Sequence, residues 1–502
     1  MILSDWLQER LDKQSGPPLY RQLHNLLLAA VLDGQLPAGT KLPASRLLAR
    51  ELGIARNTVI EVYENLRAQG CVEGRHGSGT YVADLSVDHI IEVPRPAADT
   101  PARHAASNVR PVLSKRGQSL IAGAGFSPRQ WGAFMPGVPD VREFPAQVWT
   151  RLQNRHWRKA IPEQLSYAPE GGLPALRRAL AEYLRSARSV RCEPEQIIIT
   201  TGIHQSIDLT TRLLADPGDS VWLEDPCYWG LRSTLRSLGM VLQPLPVDAE
   251  GLDWQAAGTS PAPRFVIATP SHQYPLGMVM SLARRQALLE YCRLNGSWII
   301  EDDYDSEFRY GTRPIASLQG LDSNELVIYI GSFSKTLFPG LRLGYLVAPP
   351  QLAGTFSKGS AELYREGQLQ QQAVLADFIT DGHLSAHIRR MRGLYSRRRQ
   401  CLLEAVQAAF GEKFEVVGNN AGLHLVVRLP DEVDDVAVAE AALQQGVLVR
   451  PLSRYYHQFA TGQRGLLLGY ACVTEAEITP AFAILAGVLK YFTTAQVLRA
   501  LP

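Results

Sequence analysis

The chain has 502 residues, of which 46% are hydrophobic and 20% charged, with a formal net charge of +2. Folding units hold roughly 100–200 residues, so the length predicts two or more domains, and the apolar share excludes a fibrous or wholly disordered chain. The balanced charge excludes no partner, because a basic patch can sit inside a neutral total.

No apolar run reaches the roughly 20 residues that span a bilayer, and Met1-Ile2-Leu3-Ser4-Asp5-Trp6 lacks the basic-then-apolar order of a secretory leader. A cytoplasmic protein with no membrane partner is expected. The six cysteines (Cys71, Cys192, Cys227, Cys292, Cys401, Cys472) form no CxxC pair and no metal-ligand spacing, so reduced thiols and no metal site are expected.

In chain order, Leu19, Leu23, Leu26, Leu27, Ala30 and Val31 recur at helical spacing until Gly34 and Pro37 stop the pattern. Ser45 is placed to cap a second helix carrying Leu47, Leu48 and Leu52, and Gly53 permits a tight turn into a third with Val59, Val62, Tyr63 and Leu66. That third helix opens with Arg56-Asn57-Thr58, a guanidinium, an amide and a hydroxyl at the end that enters a major groove in helix-turn-helix proteins. Cys71-Val72-Glu73 and Thr80-Tyr81-Val82, joined by a Gly-rich segment, predict a two-stranded wing. A trihelical unit can equally dock another protein, and charge does not decide: residues 1–85 hold nine Lys/Arg and nine Asp/Glu.

Residues 86–128 carry prolines, alanines and isolated charges without an apolar period and are expected to be a linker. Beyond them, in residues 129–495, Ile197-Ile198-Ile199-Thr200, Ser220-Val221-Trp222-Leu223, Arg264-Phe265-Val266-Ile267, Ser297-Trp298-Ile299-Ile300 and Leu326-Val327-Ile328-Tyr329 are short apolar runs between helical periods. Strands buried on both faces have this texture, which predicts a large α/β domain with a mainly parallel sheet and a ligand beyond the strands' carboxyl ends. The residues after those runs are Thr201-Gly202-Ile203-His204, Tyr228, Asp302 with Tyr304, and Ser332-Phe333-Ser334-Lys335 followed by Arg342. A phosphate cup, a stacking ring, a carboxylate, a phenol and an amine are the parts that hold pyridoxal 5'-phosphate (PLP): the amine forms an imine and the carboxylate keeps the ring nitrogen protonated. Each has a plain alternative, since a lone Lys is commonly a solvated charge and Tyr228 fits a core equally well.

Two stretches carry resemblances. Pro18-Leu19-Tyr20 through Leu42-Pro43-Ala44-Ser45-Arg46, Arg56-Asn57-Thr58-Val59 and Gly77-Ser78-Gly79-Thr80-Tyr81-Val82 resemble the winged helix-turn-helix (α+β) of GntR-type regulators. That resemblance implies operator contacts from Arg46, Arg56, Asn57 and Thr58, with His76 and Gly77 at the wing tip. Ala55 stands where a capping Ser is common, a loss of about 1 kcal/mol to the helix. Ser166-Tyr167-Ala168-Pro169-Glu170-Gly171-Gly172, Tyr228, Asp302, Tyr304, Ser332-Phe333-Ser334-Lys335 and Leu341-Arg342-Leu343-Gly344 resemble fold-type I, class I/II aminotransferases. By that resemblance Lys335 is the Schiff-base lysine and Asp302 the partner of the pyridine nitrogen. Tyr304 bonds the ring hydroxyl, Tyr228 stacks, and Gly202, Ile203, Ser332 and Arg342 surround the phosphate. Two departures stand out. Tyr274 fills the position of the Asn that contacts the ring hydroxyl, and Leu466-Leu467-Leu468-Gly469-Tyr470 lacks the Arg that takes a substrate carboxylate, leaving Arg450, Arg454 and Arg464 as candidates.

The combination resembles the MocR subfamily, with its GabR-like and PdxR-like regulators. It implies a multidomain regulator, not an enzyme in its main output, in which PLP, or an amine or amino acid forming an external aldimine with it, modulates binding to double-stranded operator DNA with repeated half-sites. A head-to-tail homodimer is implied as well. A working aminotransferase with an appended DNA-binding module, or a scaffold with a decayed site, are the competing expectations.

Overall fold

The computed structural model describes residues 3–12, 17–75, 78–84, 113–122, 131–159, 161–310, 316–365, 367–418, 420–458 and 462–499. His76, Gly77 and most of the expected linker lie outside them. The chain forms two compact units, Met1–Arg110 and Pro111–Pro502.

In the first unit, α1 (Leu3–Gln8), α2 (Leu19–Leu32), α3 (Ser45–Leu52) and α4 (Arg56–Ala68) surround a core of Leu7, Leu23, Leu27, Leu48, Leu52, Val59, Val62 and Leu66. Each such fully buried aliphatic side chain contributes about 1.5–3 kcal/mol. The turn between α3 and α4 is made by Gly53 in the left-handed conformation, φ +62°. Ser45 is not the cap of α3: it is the first helical residue, Ala44 precedes it, and no side chain bonds the free N–H groups there. The wing pairs β1 (Val72–Arg75) with β2 (Gly79–Val82), Val72 opposite Val82, so each strand runs longer than its β-branched residues predict. Pairing of Gly74 with Thr80 and of Arg75 with Gly79 lengthens the ladder through residues with little intrinsic strand preference.

The second unit is built on an eight-stranded sheet. Its strands are β3 (Ile197–Thr200), β4 (Ser220–Asp225), β5 (Val241–Asp248), β6 (Gly251–Leu252), β7 (Phe265–Ala268), β8 (Trp298–Asp303), β9 (Val327–Ser332) and β10 (Gly344–Val347), in the order β3-β10-β9-β8-β7-β4-β5-β6. β9, β8, β7, β4 and β5 are mutually parallel, whereas β10 is antiparallel to both its neighbours and β6 to β5. Successive residues alternate between two cores: Ile197, Ile199, Tyr329 and Tyr345 pack with helices Pro174–Arg188 and Leu369–Thr380, while Ile198, Ile328, Ile330 and Leu346 pack with helices Ile203–Leu214 and Ala353–Tyr364. A strand buried on both faces is apolar at nearly every position.

A second, antiparallel sheet follows: β11 (Val416–Val417), β12 (His424–Arg428), β13 (Arg450–Pro451) and β14 (Gly465–Gly469), in the order β11-β12-β14-β13. Helices His383–Phe410, Asp435–Gln444 and Glu475–Arg499 pack on it. Within the expected linker, Lys115–Ala122 is a helix, which Gly117 and the absence of an apolar stripe hide from the sequence; Arg116 ties it to the Ser237 carbonyl at 3.4 Å. No described helix is long and apolar enough to cross a membrane.

Candidate functional site

The central strands of the large sheet run further than their apolar runs suggest. β8 continues through Glu301, Asp302 and Asp303, and β9 ends on Ser332, so Asp302 and Ser332 sit on strands and not after them. Parallel pairing with β7 and β9 extends the strand into charged residues that carry no apolar signal.

At these carboxyl ends the structure brings together Lys335, Asp302, Tyr304, Tyr228 and Tyr274. Lys335 follows β9, and its Nζ donates to the Gly137 carbonyl at 2.6 Å. Burial lowers its pKa, partly opposed by Asp305 and Asp302, so more of the amine is unprotonated and nucleophilic than in water. Asp302 is the counterpart. Burial, with Asp303, Glu224 and Asp305 nearby, holds its carboxyl well above the usual range, Lys335 pulling the other way. No hydrogen bond or ion pair reaches it among the described residues. A carboxyl in that position lacks a cationic N–H partner, which a protonated pyridine nitrogen supplies.

Tyr304 and Asp305 meet on one imidazole. His272 Nδ1 lies 2.8 Å from Tyr304 Oη and 3.0 and 3.1 Å from the two Asp305 oxygens. With a carboxylate that close, Nδ1 carries the proton and acts as donor. Tyr304 Oη therefore accepts at His272, and its own proton is left for an oxygen in the pocket. Tyr274 stands edge-on to Tyr304, Tyr228, Tyr455 and His424, with its Oη 3.2 Å from Tyr455 Oη. Tyr228 Oη is 3.2 Å from His204 Nε2, and burial pushes its phenol up to about 12, which keeps it neutral.

Gly202, φ +127°, begins the helix Ile203–Leu214. A Cβ there would meet Arg342 Nη2 at 3.9 Å, an ordinary contact distance, so the guanidinium stands beside the helix terminus. Backbone N–H groups without helical partners and a cation beside them suit a phosphate. Arg342 is exposed and Ser332 Oγ bonds Ser334 Oγ at 3.1 Å beside it.

The three arginine candidates separate. Arg450, on β13, acts on the phenols of both Tyr274 and Tyr455, opposing the rise that burial imposes on them, and has no ion pair among the described residues. Arg464 is held 3.6 Å from the buried Asp435 carboxylate, and Arg454 is exposed, offering its carbonyl to Arg232 at 3.0 Å. The structure thus places Arg450 by the tyrosines and leaves the other two elsewhere.

Beneath the site Glu224 accepts from Thr269 N at 3.1 Å, Thr269 Oγ1 at 2.5 Å and Gln273 Nε2 at 3.3 Å, yet burial pushes its carboxyl to about 7; Glu301 and Glu307 are raised to about 7 as well. An acid raised on folding favours the folded state fully below its unfolded value of 4.5, and that contribution is lost as pH rises through about 7. The share of these acids falls across this window while that of buried His387 and His424, lowered to about 4, rises, so the test is a difference: Glu224→Gln is expected to shift the slope of stability against pH upward by up to about 1.4 kcal/mol per pH unit relative to wild type. Thermal unfolding at a series of pH values measures it.

In the first unit, Arg46, Arg56 and Asn57 are exposed and Thr58 half-buried, at the starts of α3 and α4. The wing adds two cations that the sequence left unassigned: Arg75 and Lys41 lie 4.7 and 5.7 Å from the Tyr81 ring centre.

Residues 138–485 match the family described as aminotransferase class I and II, and residues 19–82 match bacterial regulatory proteins of the gntR family. The chain is 41% identical, over 92% of both chains, to the probable rhizopine catabolism regulatory protein MocR of Rhizobium meliloti. It is 30% identical, over 92% of its length and 96% of the relative's, to the HTH-type pyridoxine biosynthesis transcriptional regulator PdxR of Corynebacterium glutamicum. Among solved structures it is similar to Thermus thermophilus LysN, an alpha-aminoadipate aminotransferase complexed with N-(5'-phosphopyridoxyl)-L-leucine (27% identity, TM-score 0.66, 76% of this chain and 96% of that one). It is also similar to the Pyrococcus horikoshii kynurenine aminotransferase in complex with PMP (25%, TM-score 0.67, 77% and 97%).

Proposed function

The chain belongs to the MocR-type GntR regulators, which join a helix-turn-helix to a class I/II aminotransferase domain, and from that premise we propose that it is a transcriptional regulator whose operator binding is set by PLP. The observation that carries the reading is the presence in one buried site of Lys335, an amine whose charge burial disfavours, and Asp302, a carboxyl lacking a cationic N–H, with the Gly202 helix terminus and Arg342 beside each other as a phosphate cup. Bound there, PLP supplies an aldehyde for amines and an electron-withdrawing ring. Lys335 Nζ would hold it as an imine and Asp302 would stabilise a proton on its ring nitrogen. Tyr304 would donate a hydrogen bond from Oη to the ring oxygen, with His272, itself held by Asp305, fixing the phenol in place. The Ile203 N–H and Arg342 grip the phosphate.

Arg46, Arg56, Asn57 and Thr58 read the operator together with His76 and Gly77, in a cytoplasmic homodimer arranged head to tail on repeated half-sites. A ligand moves the output only by its differential affinity for two states of the protein. The effector is PLP itself or an amine that displaces Lys335, and Arg450 is the cation for a carboxylate on that amine. Arg450→Ala is expected to weaken such an amine about 10- to 150-fold, the loss of one charge-assisted bond, with Arg454→Ala unchanged; spectral titration of the PLP-loaded protein measures both. The intact Lys335 site also favours a second reading, an aminotransferase with an appended DNA-binding module, which sustained turnover without DNA would support.

The test is footprinting on the DNA upstream of the chain's own gene and of its divergent neighbour, with and without PLP. Protected half-sites whose affinity changes with PLP are expected; no protection at moderate salt overturns the regulator reading.

A further inference from the structure

The loop after β8 serves two places. Tyr304 and Asp305 meet His272 at the PLP site, whereas Ser306, Glu307 and Arg309 line a second cavity of about 290 Å³, closed by helix Pro174–Arg188 and the start of helix His383–Phe410. Its wall holds four arginines, Arg188, Arg309, Arg389 and Arg392, against the one carboxyl of Glu307. Two of the four are committed. Arg188 pairs with buried Asp303 at 2.7 Å and bonds Ser271 Oγ at 2.9 Å, and Arg392 holds the Glu307 carbonyl at 2.9 and 2.7 Å.

The other two are not. Arg389 is exposed, with no hydrogen bond or ion pair among the described residues. Arg309 gives Nη1 to the Ser271 carbonyl at 3.2 Å, but its Nε is buried without a partner. Ser306, only 5% exposed, has a buried Oγ that is likewise unpartnered. Buried donors in native proteins are nearly always satisfied, by protein, water or ligand. Two idle donors under an excess of guanidinium charge call for an oxygen-rich anion, since the planar fork of arginine matches a carboxylate or phosphate face.

We propose that this cavity is a binding site for a small oxyanion, a phosphate or carboxylate group, held by the guanidinium groups of Arg309 and Arg389 with the buried Ser306 hydroxyl turning to meet it, and separate from the PLP phosphate cup. The volume admits a small metabolite and no more.

The test uses the full-length protein already loaded with PLP, so that the Gly202–Arg342 cup is taken. Inorganic phosphate and, separately, succinate are titrated against chloride at matched ionic strength, reading heat of binding and unfolding midpoint. Saturable binding of at least one probe is expected, weakened about tenfold in both Arg389→Ala and Ser306→Ala and unchanged in Arg158→Ala, a cation on another helix. Which probe binds distinguishes a phosphate site from a carboxylate site. Arg389 is exposed and Ser306→Ala removes an unpaired hydroxyl, so both variants should fold. No binding of either probe, or equal binding in wild type and Arg389→Ala, overturns the site.

Discussion

Lys335→Ala is expected to give a protein that binds its operator but no longer answers to PLP. The amine is buried, its charge is disfavoured there, and its bond to Gly137 is one hydrogen bond, so its removal should cost the fold little. What disappears is covalent attachment, and with it the free energy that distinguishes the loaded state from the empty one. Effector couplings are typically 1–3 kcal/mol, a change of about 5- to 150-fold in operator affinity between PLP-free and PLP-loaded protein, and in the variant that ratio should fall to about one. Lys335→Arg, which keeps a cation near Asp302 but cannot attach the cofactor, should behave alike. Operator titrations with and without PLP, alongside absorbance of the bound cofactor, measure both. A PLP response that persists in these variants would place the signal elsewhere than on Lys335.

Arg56→Ala carries the second large effect, on the other unit. The side chain is exposed at the first turn of α4 and touches no partner among the described residues, so its loss should leave the unfolding midpoint unchanged. A guanidinium bidentate to a base is worth about 1–3 kcal/mol, so operator affinity should drop about 5- to 150-fold. Titrations on operator and on scrambled DNA separate the two modes of contact: base reading predicts loss on the operator alone, and phosphate contact predicts equal loss on both with a shallower salt dependence.

The two-unit plan and the buried parallel strands were legible because each leaves a periodic or continuous apolar signature. β5 was not, since Pro244 and Pro246 interrupt it, and two-residue strands such as β11 and β13 carry too few residues for any period. Candidate site residues near strand ends could be proposed from order in the chain. Those whose place depends on a side chain folding back from elsewhere could not: His272 and Asp305 are remote in sequence from Lys335, and His204 and Tyr455 meet Tyr228 and Tyr274 only in three dimensions. Choosing Arg450 over Arg454 and Arg464 likewise required knowing that Asp435 had already taken one of them.

The antiparallel course of β10 has a consequence for occupancy. Because β10 returns beside β9, the single segment between Ser332 and Gly344 carries both Lys335 and Arg342. A covalent and an ionic anchor on one short loop would act as a chelate for PLP: Arg342 holding the phosphate would keep the aldehyde near the Lys335 amine at high effective concentration. Under the proposed function, exchange of an amine partner would then not require loss of the cofactor, since the phosphate anchor would remain engaged.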